Sequence, residues 1–139
     1  MDWMACKKSV YVKEIKPDHN LAYALLKASE KKMISNRMLT LTDDTAASKI
    51  SLAYDALREL LEAWAVIKGY KIYNHECYSS FLKEVLNESR LGGQFDAFRK
   101  LRNDINYYGK DVLPNEAKPL LEEMASMAKM INKELKGML

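Results

Sequence analysis

The sequence predicts an all-α protein, an antiparallel up-and-down bundle of four main helices plus a short additional helix. Three observations carry this. Glycine and proline are sparse, five and three among 139 residues, too few for the many turns of a sandwich or barrel. Hydrophobic residues make up 48% of the chain, enough for a packed core and too many for a disordered polymer. Two long segments, 50–67 and 120–135, repeat apolar residues at the helical period.

The elements follow in order. Residues 1–16 are basic and aperiodic, with Lys7, Lys8, Lys13 and Lys16 against Asp2 and Glu14. They predict a loose N-terminal arm, or a short extended piece around Val10–Val12, ahead of one domain spanning 17–139. Pro17 restricts the residue before it and Asp18 can cap. Leu21, Ala24, Leu25 and Ala28 then recur at helical spacing, which predicts a first helix to about residue 35. Thr42, Asp43 and Asp44 offer caps for the strongest element. There Ile50, Ala53, Tyr54, Leu57, Leu60, Leu61, Trp64 and Ile67 trace one face, with no Gly or Pro between 43 and 68. Gly69 stops it. At about 1.5 Å per residue this helix is about 39 Å long. The segment YKIYNHE leads to a third helix at about 76–88, with Phe81, Leu82, Val85 and Leu86 inward. Gly92–Gly93 predicts a break. A fourth helix covers about 94–108 and ends at Gly109. Pro114 and Asn115 open a fifth, to about 136, striped by Leu120, Leu121, Met124, Met127, Ala128, Ile131 and Leu135. No internal repeat interrupts the series.

Composition narrows the function classes. The net charge of +3 neither demands nucleic acid nor excludes it, so location decides. Two cysteines, Cys6 and Cys77, cannot build a disulfide framework; they predict free thiols and a reducing compartment. The segment MDWMACKKSVYVKEIK has no apolar core of signal-peptide length, and no apolar run reaches about 18 residues. A cytoplasmic chain without a membrane span is expected.

Most sites for chemistry are poor. His19 and His75 are the only histidines. His75-Glu76-Cys77 looks like a ligand cluster, but helical neighbours point about 100° apart and cannot close on one ion alone. No metal and no cofactor are expected. There is no GxSxG, and Cys77 has no base but its awkwardly placed neighbour His75. Gly92–Gly93 does not follow a strand and lacks the Lys of a phosphate loop. Glu122–Glu123 reads as a solvated face. The eight methionines fit a core or a dimer interface better than a promiscuous groove.

The fourth helix, QFDAFRKLRNDINYYGK, is different. On a helical wheel Phe98, Leu101, Ile105 and Tyr108 form the buried face. Arg99, Arg102, Asn103, Asn106 and Tyr107 spread over the other side, with Arg102 at the border. This arc holds two cations, two amides and a phenol, and Asp104 points elsewhere. Arg offers bidentate donors to phosphate, Asn orients, and an aromatic stacks on a base. The plainer alternative is that Arg99 and Arg102 are solvated, or paired with carboxylates of neighbouring helices.

At this helix the chain resembles the HEPN family, small helical-bundle proteins of prokaryotes. That family's motif is an Arg, a polar residue, three further residues and a His; Arg102-Asn103-Asp104-Ile105-Asn106-Tyr107 matches its spacing and its Arg-Asn pair. The preceding YDALRELLEAWAVIKGYKIYNHECYSSFLKEV, with Gly69 and His75, fits the family's helix order, and the resemblance covers about residues 18–136. It implies a homodimer that joins two copies of the motif in a cleft. It also implies metal-independent ribonuclease chemistry, toxin–antitoxin or defence association, and a nucleotidyltransferase partner. By resemblance Arg102 stabilises the scissile phosphate and Asn103 supports it. Tyr107 stands where the family has His. A phenol with an ordinary pKa of about 10 does not exchange a proton near neutral pH as imidazole does. The expectation is therefore weak or absent cleavage with retained binding of RNA, nucleotide or a protein partner. Arg99, Asn106 and Tyr108 would be further binding residues, and His75 is the imidazole available to stand in from elsewhere. The two alternatives are an active endoribonuclease with an atypical Tyr, and a non-catalytic module that docks the nucleotidyltransferase.

Overall fold

The computed structural model describes residues 1–139. Its elements are α1 (Trp3–Lys8), β1 (Val12–Glu14), α2 (His19–Met38), α3 (Ala46–Ile67), β2 (Tyr70–Ile72), α4 (Glu76–Ser80), α5 (Ser89–Tyr108) and α6 (Pro114–Met138). A π-helical turn, Phe81–Val85, continues α4. The protein is predominantly helical, and its four long helices are those the periodicity predicts.

The centre of the core is α3, whose buried residues include Ile50, Ala53, Tyr54, Leu57, Leu60, Leu61 and Trp64. It packs on α2, α5 and α6 and carries β2 at its end. The stripe of α6 completes the core with Met124, Met127, Ala128, Ile131 and Leu135. Asp18 caps α2 by accepting from the Leu21 N–H at 3.0 Å. The other end of α2 is capped from α3: the buried Lys49 ammonium donates to the carbonyls of Asn36 at 2.5 Å and Leu39 at 2.6 Å. The Asn36 carbonyl also accepts from the Leu39 N–H at 3.2 Å, so the ammonium adds a second, charged donor at the end of the helix, where carbonyls run short of intrahelical partners.

Residues 1–16 are not the loose arm expected. Trp3, Cys6 and Val12 are buried, and Cys6 is joined to Cys77 by a disulfide. Trp3 packs edge-on to Tyr70 with ring centres 5.1 Å apart and also meets Phe81. The Trp3 backbone N–H donates to Glu84 Oε2 at 2.6 Å, and the terminal amine reaches Glu76 Oε1 at 3.1 Å. β1 pairs antiparallel with β2, Val12 opposite Ile72 and Glu14 opposite Tyr70. The extended piece is thus real but lies slightly later than Val10–Val12. Three buried residues in twelve make no readable period, and their partners lie more than 50 residues away. The same contact overturns the expectation of free thiols, and with it the argument from thiols to a reducing compartment.

Gly92–Gly93 does not break the chain either. Both glycines lie inside α5, which starts at Ser89. A Cβ on Gly92 would stand 2.6 Å from Lys83 Cγ and 3.0 Å from the Ser79 carbonyl oxygen. Ser79 Oγ donates to the Gly92 carbonyl at 2.8 Å. Gly92 therefore lets α4 and its π turn approach the α5 backbone; it is a packing residue, not a stop. Gly109, at φ 64, ends α5 in the left-handed cap expected of it. No helix is long and apolar enough to cross a membrane.

Candidate functional site

The site is built on Tyr54 of α3. Its side chain is fully buried and stacks on Phe95 of α5 at 5.2 Å between ring centres. Two polar groups are placed against it from different elements. The Arg102 guanidinium of α5 lies 5.4 Å from the ring centre, and His75 Nδ1 lies 2.9 Å from the Tyr54 hydroxyl. A guanidinium over a phenol ring gains cation–π attraction, and its planar fork is held in one orientation.

Arg102 is mostly buried, with 19% of its side chain exposed. Its Nε is buried without a hydrogen-bond partner. The carboxylate it pairs with, Asp55, stands at 3.7 Å, beyond hydrogen-bonding distance. Arg99 and Arg58 are better satisfied. Arg99 donates through Nε and Nη2 to Asp96 Oδ1 at 3.0 and 2.9 Å. Arg58 donates to Glu62 at 3.0 Å, and Lys71 binds the other Glu62 oxygen. Burial opposes ionisation of both carboxyls. Lys71 and Arg58 nevertheless hold Glu62 below its ordinary range, and Arg99 and Lys100 do the same for Asp96. The arc read as free of carboxylates thus has two beside it, Asp96 one turn back and Asp55 on α3.

The remaining expected residues separate. Asn103 is half-buried. Asn106 is exposed and accepts from Ser51 Oγ at 3.2 Å. Tyr107 is exposed, as the wheel implies; Tyr108 is also exposed, at 82%, although the wheel puts it inward. The buried face of α5 rests on Leu91, Phe95 and Phe98, whereas Leu101 and Ile105 are only half-covered. Coverage thins towards the end of α5, so periodicity there overstates burial.

Burial, followed by the positive charges of Arg58 and Arg102, pushes His75 down to about 4, against the opposing pull of Asp55. Burial also holds the Tyr54 phenol above its ordinary range, opposed by Arg102, Arg99 and Arg58. The pair is therefore a neutral phenol hydrogen-bonded to a neutral imidazole at physiological pH. Linkage fixes the sign of the effect. The unfolded imidazole takes up its proton near 6.5 and the folded one only near 4. The contribution of His75 to stability is full above about 6.5, declines as pH falls towards 4, and is level below that. Glu30, Glu62 and Asp96, whose carboxyls are lowered, lose their contributions only further down. Urea unfolding at pH 7.5, 6 and 5 is expected to show this decline, and His75→Gln to flatten it. An equal decline in the variant would assign it to other groups.

His75-Glu76-Cys77 does not act as a ligand set. His75 bonds Tyr54, Glu76 holds the terminal amine and Cys77 is in the disulfide. No three His, Cys, Asp or Glu side chains stand together as metal ligands would. A cavity of about 540 Å³ between α2 and α6 and one of about 640 Å³ between α5 and α6 include none of Tyr54, His75 or Arg102. Tyr54, Asp55 and Arg58 were missed as site residues. Tyr54 falls on the apolar stripe of α3, and nothing local distinguishes a core phenol from one that carries a guanidinium and an imidazole.

No family model, curated protein or solved structure matches this chain.

Proposed function

We propose that the chain is a HEPN-like protein that binds RNA or nucleotide through a phosphate at Arg102, with little or no cleavage of its own. The observation that carries this reading is the state of that guanidinium. It is ordered on Tyr54 and largely buried, and no carboxylate lies within hydrogen-bonding distance of it. An Arg held in this way is pre-organised for bidentate donation to a phosphate, with its ordering cost already met by the fold. Tyr107, exposed beyond it, offers a face on which a base can stack. Tyr107, Tyr108 and Leu113 leave apolar surface at the end of α5. A second copy of the chain would cover it in the homodimer this reading includes, and a nucleotidyltransferase partner is the competing occupant. A cytoplasmic toxin–antitoxin or defence setting belongs to the same reading.

Fluorescence anisotropy with a labelled oligoribonucleotide tests the proposal. Arg102→Met keeps the stem over Tyr54 and removes the charge, so it is expected to weaken binding at least about tenfold, with little change in the melting curve. A native protein that does not bind the oligonucleotide at low salt ends the reading.

One observation favours the endoribonuclease alternative: a neutral imidazole and a guanidinium share Tyr54. Cuts made in EDTA, abolished by His75→Gln as well as by Arg102→Met, would support it. Intact RNA from pH 5 to 9 would remove it.

A further inference from the structure

The two basic side chains placed against Tyr54 differ in kind. Arg102 is permanently charged, whereas His75 is an imidazole that the fold keeps neutral. A phosphodiester carries one negative charge, which Arg102 alone can match. A terminal phosphate approaches two and calls for a second cation in the same place. Arg58 and Arg99 are each closed onto a carboxylate at 3.0 and 2.9 Å. His75 is the group left that can become that cation.

We infer that the site selects a terminal phosphate, as on a nucleoside 5′-monophosphate or an RNA end, over an internal phosphodiester, and that His75 takes up a proton from solvent when the ligand binds. This rests on the phosphate-binding reading of Arg102 and adds to it the ligand class and a proton coupling. Tyr54 is the positioning residue. Its ring holds Arg102 and its hydroxyl holds His75 Nδ1, so the two donors are fixed relative to one another.

The groups around His75 fix the direction. From α3 it faces Tyr54, Asp55 and Arg58, and from α5 Arg99 and Arg102. From α4 it faces Tyr78, with ring centres 6.2 Å apart, and its neighbour Glu76 is occupied by the terminal amine. The guanidinium charges oppose protonation. A bound dianion cancels part of that field and accepts from the imidazolium, so the midpoint of His75 rises from about 4. Affinity for a dianion that does not itself titrate then increases as pH falls through the window between the two midpoints, by up to about tenfold per pH unit.

Only two histidines occur in the chain, and His19 opens α2, away from the site. Histidine ring signals in NMR, titrated with and without ligand, therefore report the coupling with an internal control. The probes are adenosine 5′-monophosphate, inorganic sulfate as a dianion that does not titrate in this range, and a dinucleoside phosphodiester lacking terminal phosphates. The expected result is a rise of about one pH unit or more in the His75 midpoint with the monophosphate and with sulfate, equivalent to about tenfold tighter binding of the imidazolium form. His19 should not respond, the phosphodiester should bind at least about tenfold more weakly, and His75→Gln should bind sulfate without pH dependence. Monophosphate binding that leaves the His75 midpoint in place overturns the inference and leaves the phosphate reading standing. A phosphodiester bound as tightly as the monophosphate also overturns it. Binding of neither the probes nor an oligoribonucleotide removes both.

Discussion

Reducing the Cys6–Cys77 bond is expected to lower the unfolding free energy by about 2–4 kcal/mol. The bond spans 71 residues of sequence, so its loss frees a long loop in the unfolded chain, the state in which most of a disulfide's effect is felt. The folded state should survive. α1 has six residues, too few to be helical alone, but Trp3, the Glu84 hydrogen bond and the Glu76 ion pair still hold it. Guanidinium unfolding with and without a dithiol, together with Cys6→Ser, measures the effect. Coincident midpoints, or two thiols titrating in the unreduced denatured protein, would contradict it. In a compartment that keeps thiols reduced, the protein would work in its less stable form.

The second large effect is expected at Lys32. Its ammonium binds Glu59, whose side chain is only 7% exposed. The other oxygen, Glu59 Oε2, is buried without any partner. Lys32→Met would leave a buried carboxylate with no counter-charge, at a cost of about 3 kcal/mol. Adding Glu59→Leu removes the stranded charge and should recover most of the loss, because an apolar pair of similar size often replaces a buried ion pair without penalty. Chemical denaturation of the two variants separates the cases. A single variant as stable as the native protein, or a double variant no better than the single, would show that water already reaches Glu59.

Much of the scaffold was legible because helix formation is local. Asp18, Gly69, Gly109 and Pro114 mark ends through backbone chemistry that depends on the nearest few residues. The stripes of α3 and α6 have enough length for the 3.6-residue period to stand out. Gly92 was misread because its partners, Ser79 and Lys83, lie on another element. Without them a glycine pair is only a turn signal. Tyr108 was placed inward because a wheel assumes that a core continues beside every residue of the stripe, and near Gly109 it does not.

Arg102 was singled out from its own helix, and the sequence by itself determined that a helix would present it at the border between apolar and polar faces. It also determined that four long helices would form, and where those marked by Asp18, Gly69, Gly109 and Pro114 start or stop. Only the tertiary structure decided that Tyr54 would lie beneath that guanidinium, that His75 would reach the same ring across 21 residues, and that the first sixteen residues would be fastened down through Cys77. Caps and periods are properties of neighbours along the chain. A charge's partner or a buried imidazole's surroundings depend on which distant surfaces pack together, and burial then sets the strength of each interaction.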